Sequence, residues 1–129
     1  MAGGSELLEK GREVQKKLWG ERAGKGGGGP PGAQIAPEFF DLVTRFCFGG
    51  FWSRDGLDVR SRSLVTVAQL AALGRTDELK AHLFGALNLG IRREELIEVL
   101  MHTSQYAGIP AAVSALNAAA EILKKPAAS

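Results

Sequence analysis

Two stretches of this chain carry ionisable side chains at spacings that could support proton transfer. The first is ELKAHLFGALNLG, residues 78–90, which places His82 among Leu79, Leu83 and Ala86 at i, i+3, i+4 and i+7 spacing. His82 is therefore expected to be at least partly buried on the apolar face of a helix. The imidazole titrates near neutral pH, so it could give or accept a proton there. A core histidine satisfied by a backbone carbonyl fits the same pattern.

The second stretch is EELIEVLMHTSQYAGIPAA, residues 94–112. Glu98, His102 and Tyr106 follow one another at i, i+4 spacing, with Leu96, Val99, Leu100 and Thr103 on the opposite or flanking side. A Glu98–His102 contact would favour the imidazolium and fix its orientation. An exposed surface pair, worth a few tenths of a kcal/mol, fits the spacing equally well.

Arg60 and Arg62 fall in the first turn of a third predicted helix, behind Asp58. Backbone N–H groups at such a helix start attract anions, and two guanidiniums could grip a carboxylate there. Pairing with Asp55 or Asp58 is the alternative. No metal is expected, because HExxH and clustered Cys/His spacings are missing. Cys47 lacks a CxxC partner, which removes dithiol redox chemistry. The glycine run 26–29 has no GK[ST] ending and is not a phosphate loop.

The elements that must position these groups read as helices. A segment over 5–19 could form a short helix using Leu7, Leu8, Val14, Leu18 and Trp19, and Trp19 argues for docking on something apolar. Residues 20–34 are Gly/Pro-rich and read as a flexible link. From residue 35 five main helices are expected. The first starts at Pro37, carries Phe39, Phe40, Val43, Phe46 and Cys47, and ends at Gly49-Gly50. The next runs from Val59 to Leu73, capped by Asp58 and closed by Gly74; it is apolar almost all round and so expected to be central. Thr76 caps another that ends at Gly90. A fourth spans about Arg92 to Ala107, and the last runs from Pro110 to before Pro126. No segment alternates as a strand would. The expectation is an all-α fold, with a helix and link over 1–34 and a helical domain over 35–129.

Composition agrees with a globular domain: 129 residues, 45% apolar, 23% charged, net charge +2. Residues 1–34 carry six Lys/Arg against four Glu, and residues 35–129 carry ten of each sign. A neutral body gives no reason to expect nucleic acid or anionic membrane as a partner. The lone cysteine and the lack of a signal-peptide h-region lead to the expectation of a cytoplasmic protein.

Together, GGFWSRDGLDVRSRSLVTVAQLAALGRTDELKAHLFGALNLG and EELIEVLMHTSQYAGIPAAVSAL resemble the carboxymuconolactone decarboxylase family over roughly residues 37–123. The opening GREVQKKLWG extends the likeness weakly. The resemblance implies a compact multi-helix fold of the alkyl-hydroperoxidase D-like type, assembled as a homo-oligomer, a hexamer or trimer. The missing CxxC pair favours the decarboxylase branch. The implied reaction is cofactor-independent decarboxylation of 4-carboxymuconolactone to 3-oxoadipate enol-lactone in protocatechuate degradation.

By the same resemblance, Arg60 and Arg62 match RxRSL and would bind a substrate carboxylate. His82 matches ELxxH and would donate the proton. Glu98 matches EIxEVL and would orient or tune a catalytic group. Tyr106, in YxGxP, would hydrogen-bond the lactone, and His102 is a further candidate for binding substrate. His102 stands where glutamine is expected in many decarboxylases, and Leu89 replaces a polar residue before Gly90. Either change points also to another small carboxylated or enolisable substrate, or to a non-catalytic oligomer that binds a small acid.

Overall fold

Helix-forming stretches separated by glycine and proline give an all-α chain, and no strand occurs among the described residues. The computed structural model describes residues 3–20 and 30–125. Most of the Gly/Pro-rich link, including the glycine run 26–29, lies outside the described residues. The helices are α1 (Gly4–Trp19), α2 (Pro37–Val43), α3 (Val59–Leu73), α4 (Thr76–Asn88), α5 (Arg93–Ala107) and α6 (Ile109–Leu123). A 3₁₀ turn covers Pro31–Gln34, and a π-helical segment, Thr44–Trp52, continues α2. Among the described residues, no helix is long and apolar enough to cross a membrane.

The chain divides into two compact units between Val59 and Arg60. In the first, α1 lies against the π-helical segment. Val14 and Leu18 of α1 are buried, as are Phe48 and Trp52 of the π segment. Trp19 meets Phe48 edge-on with ring centroids 5.6 Å apart, and Phe48 stacks on Trp52 at 5.7 Å. Gln15 donates to the Thr44 hydroxyl at 3.1 Å. Two glycines set the closeness of this crossing. A Cβ on Gly11 would lie 2.1 Å from the Thr44 carbonyl oxygen, and one on Gly49 would lie 2.1 Å from that of Leu7.

The Gly49-Gly50 pair was expected to stop the second helix. It lies inside the π-helical segment instead. Glycine costs a helix about 1 kcal/mol relative to alanine, but here its missing side chain admits the α1 backbone. Tertiary contact overrides local propensity.

The second unit is built from α3 to α6 around one apolar cluster. Val67 and Ala71 of α3, Leu79, Leu83 and Ala86 of α4, Leu96 and Leu100 of α5, and Ala115, Ala119 and Leu123 of α6 form it, with Ile91. Alanines on α6 let its neighbours approach closely. The expected α3 boundaries hold, and Gly74 follows at φ 72°, where a side chain would be strained. The expectation that α3 is central holds on one face only. Ser63, Val67 and Ala71 are buried, whereas Val65 and Leu73 are exposed in the single chain. Thr76 does not cap α4: Arg75 holds the N-cap position, and no side chain caps it. Leu89 packs partly buried against the core, which accounts for an apolar residue before Gly90.

Candidate functional site

The first turn of α3 and the first turn of α5 meet through an ion pair. Arg60 Nη2 donates to Glu95 Oε2 at 2.7 Å, between side chains that are 50% and 31% exposed. Glu95 also accepts the Arg92 backbone N–H at 3.1 Å, the carboxylate half of a capping box at the N3 position of α5. The Arg92 guanidinium lies 3.6 Å from its other oxygen. The hydrogen bond from the Arg92 backbone, then those from Arg60 and the charges of both arginines, hold the Glu95 carboxyl below the ordinary carboxylate range. Arg60 thus pairs with Glu95 rather than with Asp55 or Asp58. Arg62, two residues on, is half-buried, and its carbonyl accepts the Thr66 hydroxyl at 2.7 Å.

His82 sits on α4 with Leu79, Leu83 and Ala86, all three fully enclosed. The ring is half-buried, and its Nδ1 edge is closed off from solvent. Burial pulls its pKa down to about 4, partly resisted by the Glu78 carboxylate one turn earlier. At neutral pH the resting chain therefore holds a neutral imidazole. Such a ring is a weak base, and its N–H donates a hydrogen bond. It becomes a proton donor when a negative charge arrives beside it, because an adjacent anion raises its pKa.

On α5 the inward face carries Leu96, Leu100 and Thr103, as the spacing required. Glu98, His102 and Tyr106 are exposed in the single chain, with Tyr106 91% exposed. His102 and Tyr106 meet with ring centroids 5.8 Å apart at 44°. Glu98 and His102 form no ion pair among the described residues, so the expected orientation of His102 by Glu98 is not made within this chain.

No group of three or more His, Cys, Asp or Glu that could hold a metal occurs among the described residues. The first unit has an open cleft of about 590 Å³ bordered by Lys10, Lys17, Trp52, Arg54, Asp55 and Asp58. Cys47 is half-buried, and burial pushes its thiol pKa up, which suits a packing role.

The carboxymuconolactone decarboxylase family model matches residues 37–121. The chain belongs to the carboxymuconolactone decarboxylase family. A 4-carboxymuconolactone decarboxylase of Acinetobacter baylyi is 47% identical over 87 residues, 67% of this chain and 65% of that protein. A nitrosuccinic acid decarboxylase of Metarhizium robertsii is 34% identical over 76 residues, 59% of this chain and 53% of that one. An uncharacterized 15.0 kDa protein of Paracoccus denitrificans is 31% identical over 91 residues, 69% and 68% of the two chains. The chain spans less than two thirds of the length of each of the two decarboxylases.

Within this member of the carboxymuconolactone decarboxylase family, Glu95 is the residue that sequence reasoning missed. Its helix-capping role had a local signal, an acid three residues after Arg92 where α5 begins. Its pairing with Arg60 had none, because 35 residues separate the two.

Proposed function

We propose that this chain decarboxylates 4-carboxymuconolactone to 3-oxoadipate enol-lactone without a cofactor, as a step of protocatechuate degradation. Family membership and the similarity to the Acinetobacter baylyi enzyme support the reading. The observation that carries it in the chain itself is His82, a half-buried imidazole held neutral by its surroundings.

The C–C bond to the departing carboxylate breaks, and its electron pair moves through the ring double bond onto the lactone carbonyl, giving a dienolate and CO₂. A ring carbon of the dienolate then takes one proton, so the reaction consumes one proton overall. The doubly negative substrate raises the His82 pKa on arrival, so that the ring collects a proton and delivers it to the ring carbon. Solvent reprotonates the imidazole in the next cycle. Arg60 and Arg62 take the retained carboxylate. Glu95 holds Arg60 at one angle, so its guanidinium is placed before substrate arrives. His102 and Tyr106 lie on the exposed face of α5 and contact substrate where a second copy of the chain closes that face, and Glu98 on the same face orients or tunes a catalytic group there.

Self-association is part of this reading. Phe39, Leu42 and Phe46 stand at i, i+3 and i+7 along α2 and the π segment, and all are more than half exposed. Such a stripe is expected to be covered in a homo-oligomer, a trimer or hexamer.

A second reading keeps the reaction type and changes the acid. The Metarhizium robertsii relative is named for nitrosuccinic acid, a smaller substrate, and His102 departs from the usual pattern. Purified protein mixed with each acid in turn, with loss of substrate followed by absorbance, separates the two. Turnover of neither acid would overturn both.

A further inference from the structure

Glu95 receives two arginines, and they come from different helices. Arg60 Nη2 of α3 donates to its Oε2 at 2.7 Å, and Arg92 Nη2, at the start of α5, lies 3.6 Å from its Oε1. Other ion pairs of the chain match one cation to one carboxylate: Lys10 with Glu6, Arg45 with Asp41, Lys124 with Glu121. Around Glu95 there are two cations to one anion, so the cluster keeps a net positive charge. The carboxylate stays ionised, because the Arg92 backbone N–H and then the two guanidiniums hold its pKa below the ordinary range. The excess positive charge is therefore present throughout the neutral range.

Two neighbouring guanidiniums repel each other unless an anion joins them. Glu95 offsets that repulsion and sets their spacing, with each arginine on its own oxygen. A guanidinium carries five N–H donors and no acceptor. Arg60 spends one of them on Glu95. At 3.6 Å Arg92 is beyond hydrogen-bond reach of that carboxylate, so its donors are not spent there. Its neighbour Arg93 differs, because it donates to the Leu123 carbonyl at the end of α6. Arg60 and Arg92 both keep an open edge, with side chains 50% and 69% exposed. The group that completes this arrangement is an anion with two oxygens, which can accept from both forks at once.

We propose that Arg92 is a further substrate-binding residue: Arg60 and Arg92, spaced by Glu95, together clamp the retained carboxylate of the substrate. The inference rests on Arg60 binding that carboxylate in the reaction proposed above. Glu95 stays in place, since the substrate takes the donors that Glu95 leaves. The retained carboxylate keeps its charge throughout the reaction, so Arg92 holds ground state and transition state alike. Its loss therefore shows in binding and not in the chemical step.

The test uses the full chain and two readouts: calorimetric titration with succinate, an unreactive dicarboxylate, and steady-state kinetics on 4-carboxymuconolactone. Arg92→Gln keeps the backbone N–H that caps α5 and removes only the guanidinium. It is expected to weaken succinate binding and raise KM by about ten-fold or more, the scale of one lost charge-assisted contact to an anion. The change in kcat should stay within about two-fold. Arg92→Lys keeps the charge but not the planar fork, so an intermediate loss is expected. Arg75→Gln, which removes an exposed arginine at the start of α4, controls for net charge and should leave both readouts within about two-fold. Succinate affinity and KM unchanged in both Arg92 variants, or lost equally in Arg75→Gln, would overturn the proposal. If the wild type binds succinate through Arg92 but turns over no lactone, the decarboxylase reading falls and the clamp stands. A wild type that binds no succinate overturns the clamp, whatever it turns over.

Discussion

The guanidinium of Arg60 and the carboxylate of Glu95 meet at 2.7 Å, joining the start of α3 to the start of α5. One carboxylate therefore does two things: it satisfies a backbone N–H at the N-terminus of α5 and fixes an arginine on another helix. The pair is partly open to water, so its value lies in geometry more than in stability.

Removing Glu95 should act on substrate binding through Arg60. Glu95→Gln and Arg60→Ala are each expected to raise KM with a smaller change in kcat, and the double variant should be less than additive. A double-mutant cycle on KM measures this. Strict additivity would show that the pair does not position the arginine.

His82→Ala is expected to lower kcat by roughly two orders of magnitude or more, the scale of general acid–base catalysis. Steady-state kinetics on the folded variant decides it. An unchanged kcat would remove His82 from the mechanism.

The depressed pKa of His82 also predicts how stability follows pH. The folded ring titrates at about 4, below the ordinary 6.5, so between these values the unfolded chain binds more protons than the folded one. Stability from this group is complete above pH 6.5 and is lost as pH falls toward 4. The loss is on the order of 3 kcal/mol. Urea denaturation of wild type and His82→Gln across that window should show the wild type losing stability faster. Parallel curves would contradict the burial of the ring.

Gly11 and Gly49 should not tolerate a side chain. Either alanine places a Cβ 2.1 Å from a carbonyl oxygen and must push α1 and the π segment apart. A loss of about 1–3 kcal/mol or more is expected for each. Gly56 has nothing within 4 Å of its would-be Cβ, so Gly56→Ala serves as the control, with a change within about 0.5 kcal/mol. Denaturant unfolding compares them.

Decarboxylation that needs no cofactor should persist after exhaustive dialysis against a chelator. Loss of activity that returns with a divalent ion would overturn the cofactor-free reading.

Local pattern determined the helices of this protein. Apolar spacing on Leu79, His82, Leu83 and Ala86 put the imidazole on a core face, and Gly74, Gly108 and Pro110 marked where helices begin and end. The motifs around Arg60, His82 and Glu98 were enough to place the chain in its family. These signals act within a turn or two of helix, so a linear reading captures them. What folding alone decided involves partners far apart in the chain. Arg60 found Glu95, Gly11 found Thr44, and Gly49 found Leu7, so a glycine pair expected to end a helix became part of one. The protonation state of His82 belongs there too, because desolvation depends on every helix packed around the ring, and no spacing rule encodes that sum.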